Sequence, residues 1–284
     1  MASFHDRGTA NGTQYIATRN RATRGDDNMA TLTDKTALVT GASRGIGRAT
    51  AEALSNAGAH VIVHYGRAAT EANTVVEEIR AAGGCADAAQ ADLSIPEGAA
   101  TLAKQVRAIV GEHLDIFVSN AGISKAASIE DHTIEDFDKL FATNVRSPFF
   151  LVKELLPLFG EGSNIVLVSS LAARVTPGNP GQPGTPSLPA YAATKGAIET
   201  LVKHWAATLG RRGIRVNDVA PGVIETDMSN FTKTEAGRGF ALSMQALKRI
   251  GQPSDVADVI TFLVSDGARW ITGASIPVDG GSKL

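Results

Sequence analysis

From residue 35 onward, short apolar runs alternate with longer stretches in which apolar residues recur every three or four positions. The short runs predict strands at residues 36–40, 60–64, 85–89, 114–119, 164–168 and 214–219, and the longer ones predict helices between them. The second strand reads His60-Val61-Ile62-Val63-His64, apolar on both faces at its centre, as in a sheet covered on both sides. Helical period is clearest in Ile46, Ala49, Ala53 and Leu54, then over residues 70–82, 96–110, 134–159 and 189–209. Strand and helix in strict succession give an α/β domain, a doubly wound parallel sheet with helices on both faces. In such a sheet, ligands bind at the carboxyl ends of the strands where the strand order reverses.

After Pro221 the pattern loosens. Residues 229–247 carry one or two amphipathic helices, and residues 223–250 are expected to form a mobile cover over the site. A helix at 254–263 is entered through Pro253-Ser254-Asp255. An edge strand at 274–278 brings the sheet to about seven strands, and Asp279-Gly280-Gly281 then turns the chain. Residues 176–189 alternate prolines with glycines, which excludes regular helix or sheet. Residues 1–30 are rich in Thr, Asn, Gly, Asp and Arg without apolar period, and read as a disordered arm before a single domain at 31–284.

Charge and cysteine content narrow the function classes. With 27 Lys and Arg against 29 Asp and Glu, the formal net charge is -2, which supplies no basic face for nucleic acid. No run of about 20 apolar residues is present, so no membrane span is expected. The single cysteine, Cys85, excludes an intrachain disulfide framework, fits a reducing, cytoplasmic setting, and is expected as a partly buried small hydrophobe. The terminal Ser282-Lys283-Leu284 reads as a peroxisomal address if the owner is a eukaryote. The six histidines show no metal-ligand spacing, so no metal is expected and surface or internally satisfied roles are assigned to them.

Candidate chemistry centres on Tyr191 and Lys195, four residues apart on a predicted helix and so on one face. A free phenol titrates at about 10; a neighbouring ammonium favours the phenolate and lowers that value, as a general acid or base requires. A lysine stem also lies over a tyrosine ring on many plain helices. The weight of the pair therefore comes from its company, Ser169-Ser170 after a strand and a glycine-rich turn.

That turn, Thr40-Gly41-Ala42-Ser43-Arg44-Gly45-Ile46-Gly47, follows one predicted strand and opens a helix. Glycines let the backbone approach a pyrophosphate at a helix N-terminus, where unpaired N–H groups favour anions. It lacks the Gly-Lys-Ser/Thr ending of a phosphate-transferring loop, which speaks against nucleotide hydrolysis. At the end of the second strand, an acid would accept the 2′-hydroxyl of NAD(H). This chain has Tyr65-Gly66-Arg67 there, and with Arg44 nearby the donors match a 2′-phosphate, so NADP(H) is favoured over NAD(H).

Taken together, these motifs resemble a short-chain dehydrogenase/reductase of the Rossmann-fold superfamily, in the branch that includes 3-oxoacyl-carrier-protein reductases and glucose dehydrogenases. The resemblance spans residues 31–281. Residues 40–47 match its Thr-Gly-x-x-x-Gly-x-Gly turn, Asp92 and Leu93 its pair beside the adenine, and Asn120-Ala121-Gly122 its cofactor-supporting segment. Pro221, Gly222, Val223 and Thr226 match the segment that closes over the nicotinamide. Asn144, Ser170, Tyr191 and Lys195 match the catalytic four. The resemblance implies that Tyr191 exchanges a proton with a carbonyl or alcohol oxygen and Ser170 hydrogen-bonds that oxygen. It implies that Lys195 binds the nicotinamide ribose and lowers the Tyr191 pKa, while Asn144 holds a water that relays protons. It also implies a homotetramer, with a dimer as the fallback.

Two departures qualify the substrate. Ser170 and Tyr191 are 21 positions apart, roughly eight more than usual in this branch, and a loop absorbs such length at little entropic cost. The segment Leu156-Pro157-Leu158-Phe159-Gly160-Glu161 lacks the basic residues with which carrier-protein reductases meet an acidic partner, leaving Arg211 and Arg212. A small carbonyl or alcohol substrate is expected, with a 3-oxoacyl thioester as the alternative and a silent nucleotide-binding regulator as a third reading. Leu171, Ala172, Val223 and Ile224 point to an apolar substrate. The apolar excess at Phe149, Phe150 and Trp205 points to a subunit interface.

Overall fold

The computed structural model describes residues 31–176 and 187–282; the predicted arm, most of the Pro/Gly-rich loop, Lys283 and Leu284 lie outside the described residues. In chain order the elements are β1 (Thr36–Val39), α1 (Gly45–Asn56), β2 (His60–Tyr65), α2 (Ala69–Ala81), β3 (Cys85–Gln90), α3 (Gly98–Val110), β4 (Ile116–Ser119), α4 (Ile134–Phe141), α5 (Ser147–Leu155), β5 (Asn164–Val168), α6 (Pro189–Leu209), β6 (Arg215–Pro221), α7 (Glu235–Met244), α8 (Pro253–Val264) and β7 (Ser275–Val278). All seven strands pair in parallel in the order β3-β2-β1-β4-β5-β6-β7. The order reverses between β1 and β4, and their carboxyl ends open the crevice that an open α/β sheet offers to a ligand.

Alternation along each strand divides the core into two layers. Val39, Val61 and Val63 pack with Leu54 of α1, Val75 of α2 and Ile260 of α8. Leu38, Ile62 and Phe117 face the other way and pack with Leu102 of α3, Leu155 of α5 and Val202 of α6.

Where the structure departs from the pattern, the cause is local. Residues 134–159 are not one helix, because a turn of π-helix at Ala142–Arg146, with Asn144 at its centre, separates α4 from α5. The helix then tightens into a short 3-10 turn at Leu156–Leu158, where Pro157 has no N–H to continue it. α3 begins at Gly98 rather than Pro96, and there the chain passes so close to the Asp92 carbonyl oxygen that a Cβ at residue 98 would lie 2.0 Å from it. β4 begins at Ile116; the Leu114 N–H pairs instead with Leu158 O, at 2.9 Å. Cys85 is exposed rather than partly buried, as the first residue of an edge strand. Among the described residues, no helix is long and apolar enough to cross a membrane.

Candidate active site

Residues 40–47 leave β1 and enter α1 through a turn that glycine permits. Gly41 and Gly45 have φ of 63° and 57°, a left-handed region that side chains disfavour. A Cβ on Gly47 would lie 2.3 Å from the Gly41 carbonyl oxygen and 2.4 Å from Asn120 Nδ2. Asn120, after β4, clamps the turn by donating from Nδ2 to Thr40 O at 2.8 Å and Gly41 O at 3.1 Å. Thr40 Oγ1 accepts in return from the N–H groups of Asn120 and Ala121, both at 3.0 Å. The first turn of α1 has no side-chain cap and no acid, so its N–H groups and dipole face the crevice.

His64 secures the same turn from β2. Its Nδ1 accepts the Gly41 N–H at 3.1 Å, and its Nε2 faces the Ala91 carbonyl oxygen at 3.1 Å, which makes Nε2 the protonated nitrogen. Burial pushes this imidazole down to about 4. Tyr65, Gly66 and Arg67 follow, without a carboxylate among them. Arg67 is 91% exposed and reaches Asp92 at 3.6 Å; Arg44 is 73% exposed and reaches Asp227 at 3.3 Å. Asp92 is held by Ser94, whose N–H and hydroxyl donate to Oδ1 and keep the carboxyl below its usual range. Leu93 beside it is buried.

The second half of the site converges from β5, α6 and the π-turn. Pro189 starts α6 at a position where a missing N–H costs nothing, which sets Tyr191 in the first turn and Lys195 in the second. Burial pushes the Tyr191 phenol up, and Ser170, just past β5, opposes that push by hydrogen bonding. The net direction is upward, opposite to the lowering expected from Lys195, because burial outweighs the Ser170 contribution. Lys195 Nζ lies 5.6 Å from the Tyr191 ring centroid and donates to Val168 O at 2.7 Å. Burial in turn pulls the Lys195 amine down to about 8. Asn144 grips Ile123 through both backbone groups, at 2.9 Å each, and donates to Thr194 Oγ1 at 3.1 Å, so both its amide hydrogens are engaged. Its Oδ1 would stand 3.3 Å from a Cβ on Gly122, and Lys195 Nζ 3.7 Å from the same point.

Ser170, Tyr191 and Lys195 line one wall of a cavity of about 290 Å³. Ile46, Asn120, Gly122, Pro221, Gly222, Val223 and Thr226 form its cofactor side. Leu188, Met228, Phe231, Phe240 and Met244 add an apolar part to its lining. The last four come from residues 227–244, where a short 3-10 segment at Asp227–Lys233 precedes α7. Thr226 stands over the glycine turn, its Cγ2 3.3 Å from where a Gly45 Cβ would be. A second cleft of about 430 Å³, also bordered by Thr226, mixes Arg44, Arg48 and Lys233 with Glu52, Glu225 and Asp227, and is not lined by Ser170, Tyr191 or Lys195.

A family model described as enoyl-(acyl carrier protein) reductase matches residues 41–283. Versicolorin reductase 1 of Aspergillus parasiticus is 42% identical over 263 residues, covering 88% of this chain and 97% of its own. The probable tetrahydroxynaphthalene reductase of Zymoseptoria tritici is 38% identical over 265 residues, covering 89% and 96%. The structure of the angucycline C-6 ketoreductase LanV with bound NADP superposes with a TM-score of 0.82 at 39% identity, covering 90% of this chain and 98% of that one. The chain is a short-chain dehydrogenase/reductase.

As a member of that family it is an NADP(H)-dependent oxidoreductase that interconverts a ketone or aldehyde and an alcohol. The residues present fit that cofactor: the turn leaves no room for side chains at Gly41 and Gly47, the start of α1 offers uncapped N–H groups, and β2 ends without an acid. The cover expected over residues 223–250 supplies Met228, Phe231, Phe240 and Met244, which the sequence does not single out, and neither Thr194 nor the bond from His64 to the glycine turn is singled out either. A signal existed for His64, since a histidine in a strand covered on both faces must satisfy both ring nitrogens internally.

Proposed function

We propose that this short-chain dehydrogenase/reductase reduces a ketone carried on a flat, apolar, fused-ring aromatic skeleton, with Tyr191 as the proton donor. The observation that carries the reading is the cavity, whose lining joins Ser170 and Tyr191 to two methionines and two phenylalanines. Thioether and aromatic side chains pack well against flat rings. One relative's name, tetrahydroxynaphthalene reductase, specifies a fused two-ring aromatic, which supports the same substrate class here.

When bound, NADPH supplies the hydride. The glycine turn, Asn120-Ala121-Gly122, Asp92 and Leu93 would hold it, with Arg44 and Arg67 on the 2′-phosphate and Pro221, Gly222, Val223 and Thr226 closing over the nicotinamide. Ser170 donates a hydrogen bond to the substrate oxygen, and Tyr191 gives that oxygen its proton. Lys195, as a cation, favours the phenolate that results. Asn144 fixes the backbone at Ile123 and the helix at Thr194, next to Lys195. The reaction is an oxidoreduction at a CH–OH group.

The thioester reading keeps the exposed Arg211 at its remaining docking point, whereas Arg212 donates to the carbonyl oxygens of Leu156 and Phe159, at 3.0 and 2.7 Å, and braces the turn that follows α5. Assembly as a tetramer through α5 and α6 is supported by Phe149 and Phe150, both over 40% exposed, with Phe149 5.9 Å from the Trp205 ring. A cytoplasmic location is supported by the lone, exposed Cys85.

NADPH oxidation across a panel of fused-ring aromatic ketones, small aliphatic ketones and an acetoacetyl thioester tests the proposal. Turnover of the aromatic ketones at the highest kcat/KM is expected; preference for the thioester would replace this reading.

A further inference from the structure

β6 carries an acid into the helix-covered layer directly behind the site. Asp218 is fully buried and lies in register with Leu167 of β5 and Ser275 of β7. Side chains alternate along a strand, and Val216, two residues before it, packs with Ile198 and Val202 of α6. Asp218 therefore faces α6, where Lys195 and Glu199 stand four residues apart on one side.

A directional chain of hydrogen bonds holds this carboxylate. Arg174 donates to Ser275 Oγ, and Ser275 Oγ donates to Asp218 Oδ1. Arg174 Nε also reaches Glu199 Oε1 at 2.9 Å. Ser169, next to Ser170, shares its hydroxyl between Glu199 Oε1 and the Lys195 carbonyl oxygen, each at 3.3 Å. Among the described residues, the other oxygen of Asp218, Oδ2, is buried without a hydrogen-bond partner, so its remaining interactions are those of charge. Lys195 and Arg174 favour that charge and Glu199 opposes it. The ammonium of Lys195 donates to Val168 O, a neutral group, which leaves Asp218 as the acid acting on it. Tyr191 is the other titratable group against Lys195.

We propose that Asp218 is a positioning residue for the Tyr191–Lys195 pair: its buried carboxylate is the counter-charge that keeps the Lys195 amine a cation beside the phenol. Arg174, Ser275 and Glu199 fix the carboxylate in that place. The proposal rests on the roles given above to Tyr191 and Lys195. It has a natural working range, because burial pushes Asp218 up to about 6 while Lys195 is held at about 8. Between those values both groups are charged.

The test is the pH dependence of kcat for ketone reduction, in the wild type, Asp218→Asn and Ser275→Ala. Reduction needs both protons on the Tyr191–Lys195 pair, so the first proton lost sets the alkaline limb, with an apparent pKa that belongs to the pair. Asp218→Asn keeps the shape and removes the charge, and is expected to move that limb down by about one pH unit. Ser275→Ala keeps the acid, which stays ionised at that limb, and is the control whose limb remains near the wild-type position. Should Asp218→Asn fail to fold, Asp218→Ser decides alone. A limb that stays in place in the Asp218 variant, or a uniform loss at every pH that follows the melting temperature, overturns the proposal. Wild-type turnover in Tyr191→Phe would instead overturn the assignment of the pair, and is read separately from the limb.

Discussion

His64 Nδ1 accepts the backbone N–H of Gly41 at 3.1 Å, and this bond ties the nucleotide turn to the neighbouring strand. The ring is buried neutral, with its pKa pushed down to about 4 from an ordinary 6.5. The unfolded chain therefore takes up the proton first as pH falls. The contribution to stability is fully present above about pH 6.5 and lost progressively toward about pH 4, amounting to about 3 kcal/mol. Urea unfolding of the wild type should weaken over that range, and His64→Asn should flatten the slope. An unchanged slope in the variant would remove His64 as its cause.

Gly47 tests the cradle itself. Its Cβ position collides with the Gly41 backbone and Asn120, neither of which is a flexible chain end. Gly47→Ala should weaken NADPH binding by roughly tenfold or more, since a core backbone clash is among the costly substitutions. Fluorescence titration of the cofactor measures it, and wild-type affinity would show that the turn can shift.

Much of this architecture is legible from pattern. β5 and α6 run over the predicted residues, because β5 is buried at every position and α6 is opened by Pro189. The glycine turn and the Tyr191–Lys195 spacing are readable for the same reason, local geometry that dictates residue type. The π-turn around Asn144 is not readable, since nothing in the helical period of residues 134–155 marks an added residue in one turn. Arg174, Glu199, Asp218 and Ser275 come from four segments, and only the sheet order brings them together. Met228, Phe231, Phe240 and Met244 are legible as part of the cover expected over residues 223–250, but not one by one as lining of the cavity.

Among the described residues, the side chains of Arg44 and Arg67 pair with Asp227 and Asp92, and ion pairs so open to solvent contribute little by themselves. Each can therefore turn to a 2′-phosphate at small cost. Arg44→Ala should raise the KM for NADPH by about tenfold while that for NADH changes little, as loss of a charge-assisted hydrogen bond predicts. Equal effects on both cofactors would place Arg44 on the pyrophosphate instead.

The apolar wall makes the substrate class testable. Phe240→Ser should raise the KM for a fused-ring aromatic ketone by about tenfold, the scale of losing a buried phenyl ring, with the NADPH dissociation constant unchanged. A matching rise for a small aliphatic ketone would mean that the wall serves the fold rather than the substrate.

Tyr191→Phe measures the central claim most directly, because it removes one oxygen and leaves the ring in place over Lys195. NADPH binding by fluorescence and single-turnover reduction of the preferred ketone would be recorded on the same preparation. Cofactor affinity within about twofold of wild type and a loss of turnover of roughly a hundredfold or more is the predicted result. Turnover near the wild-type rate with cofactor bound would contradict it, and the proton would have to come from another group.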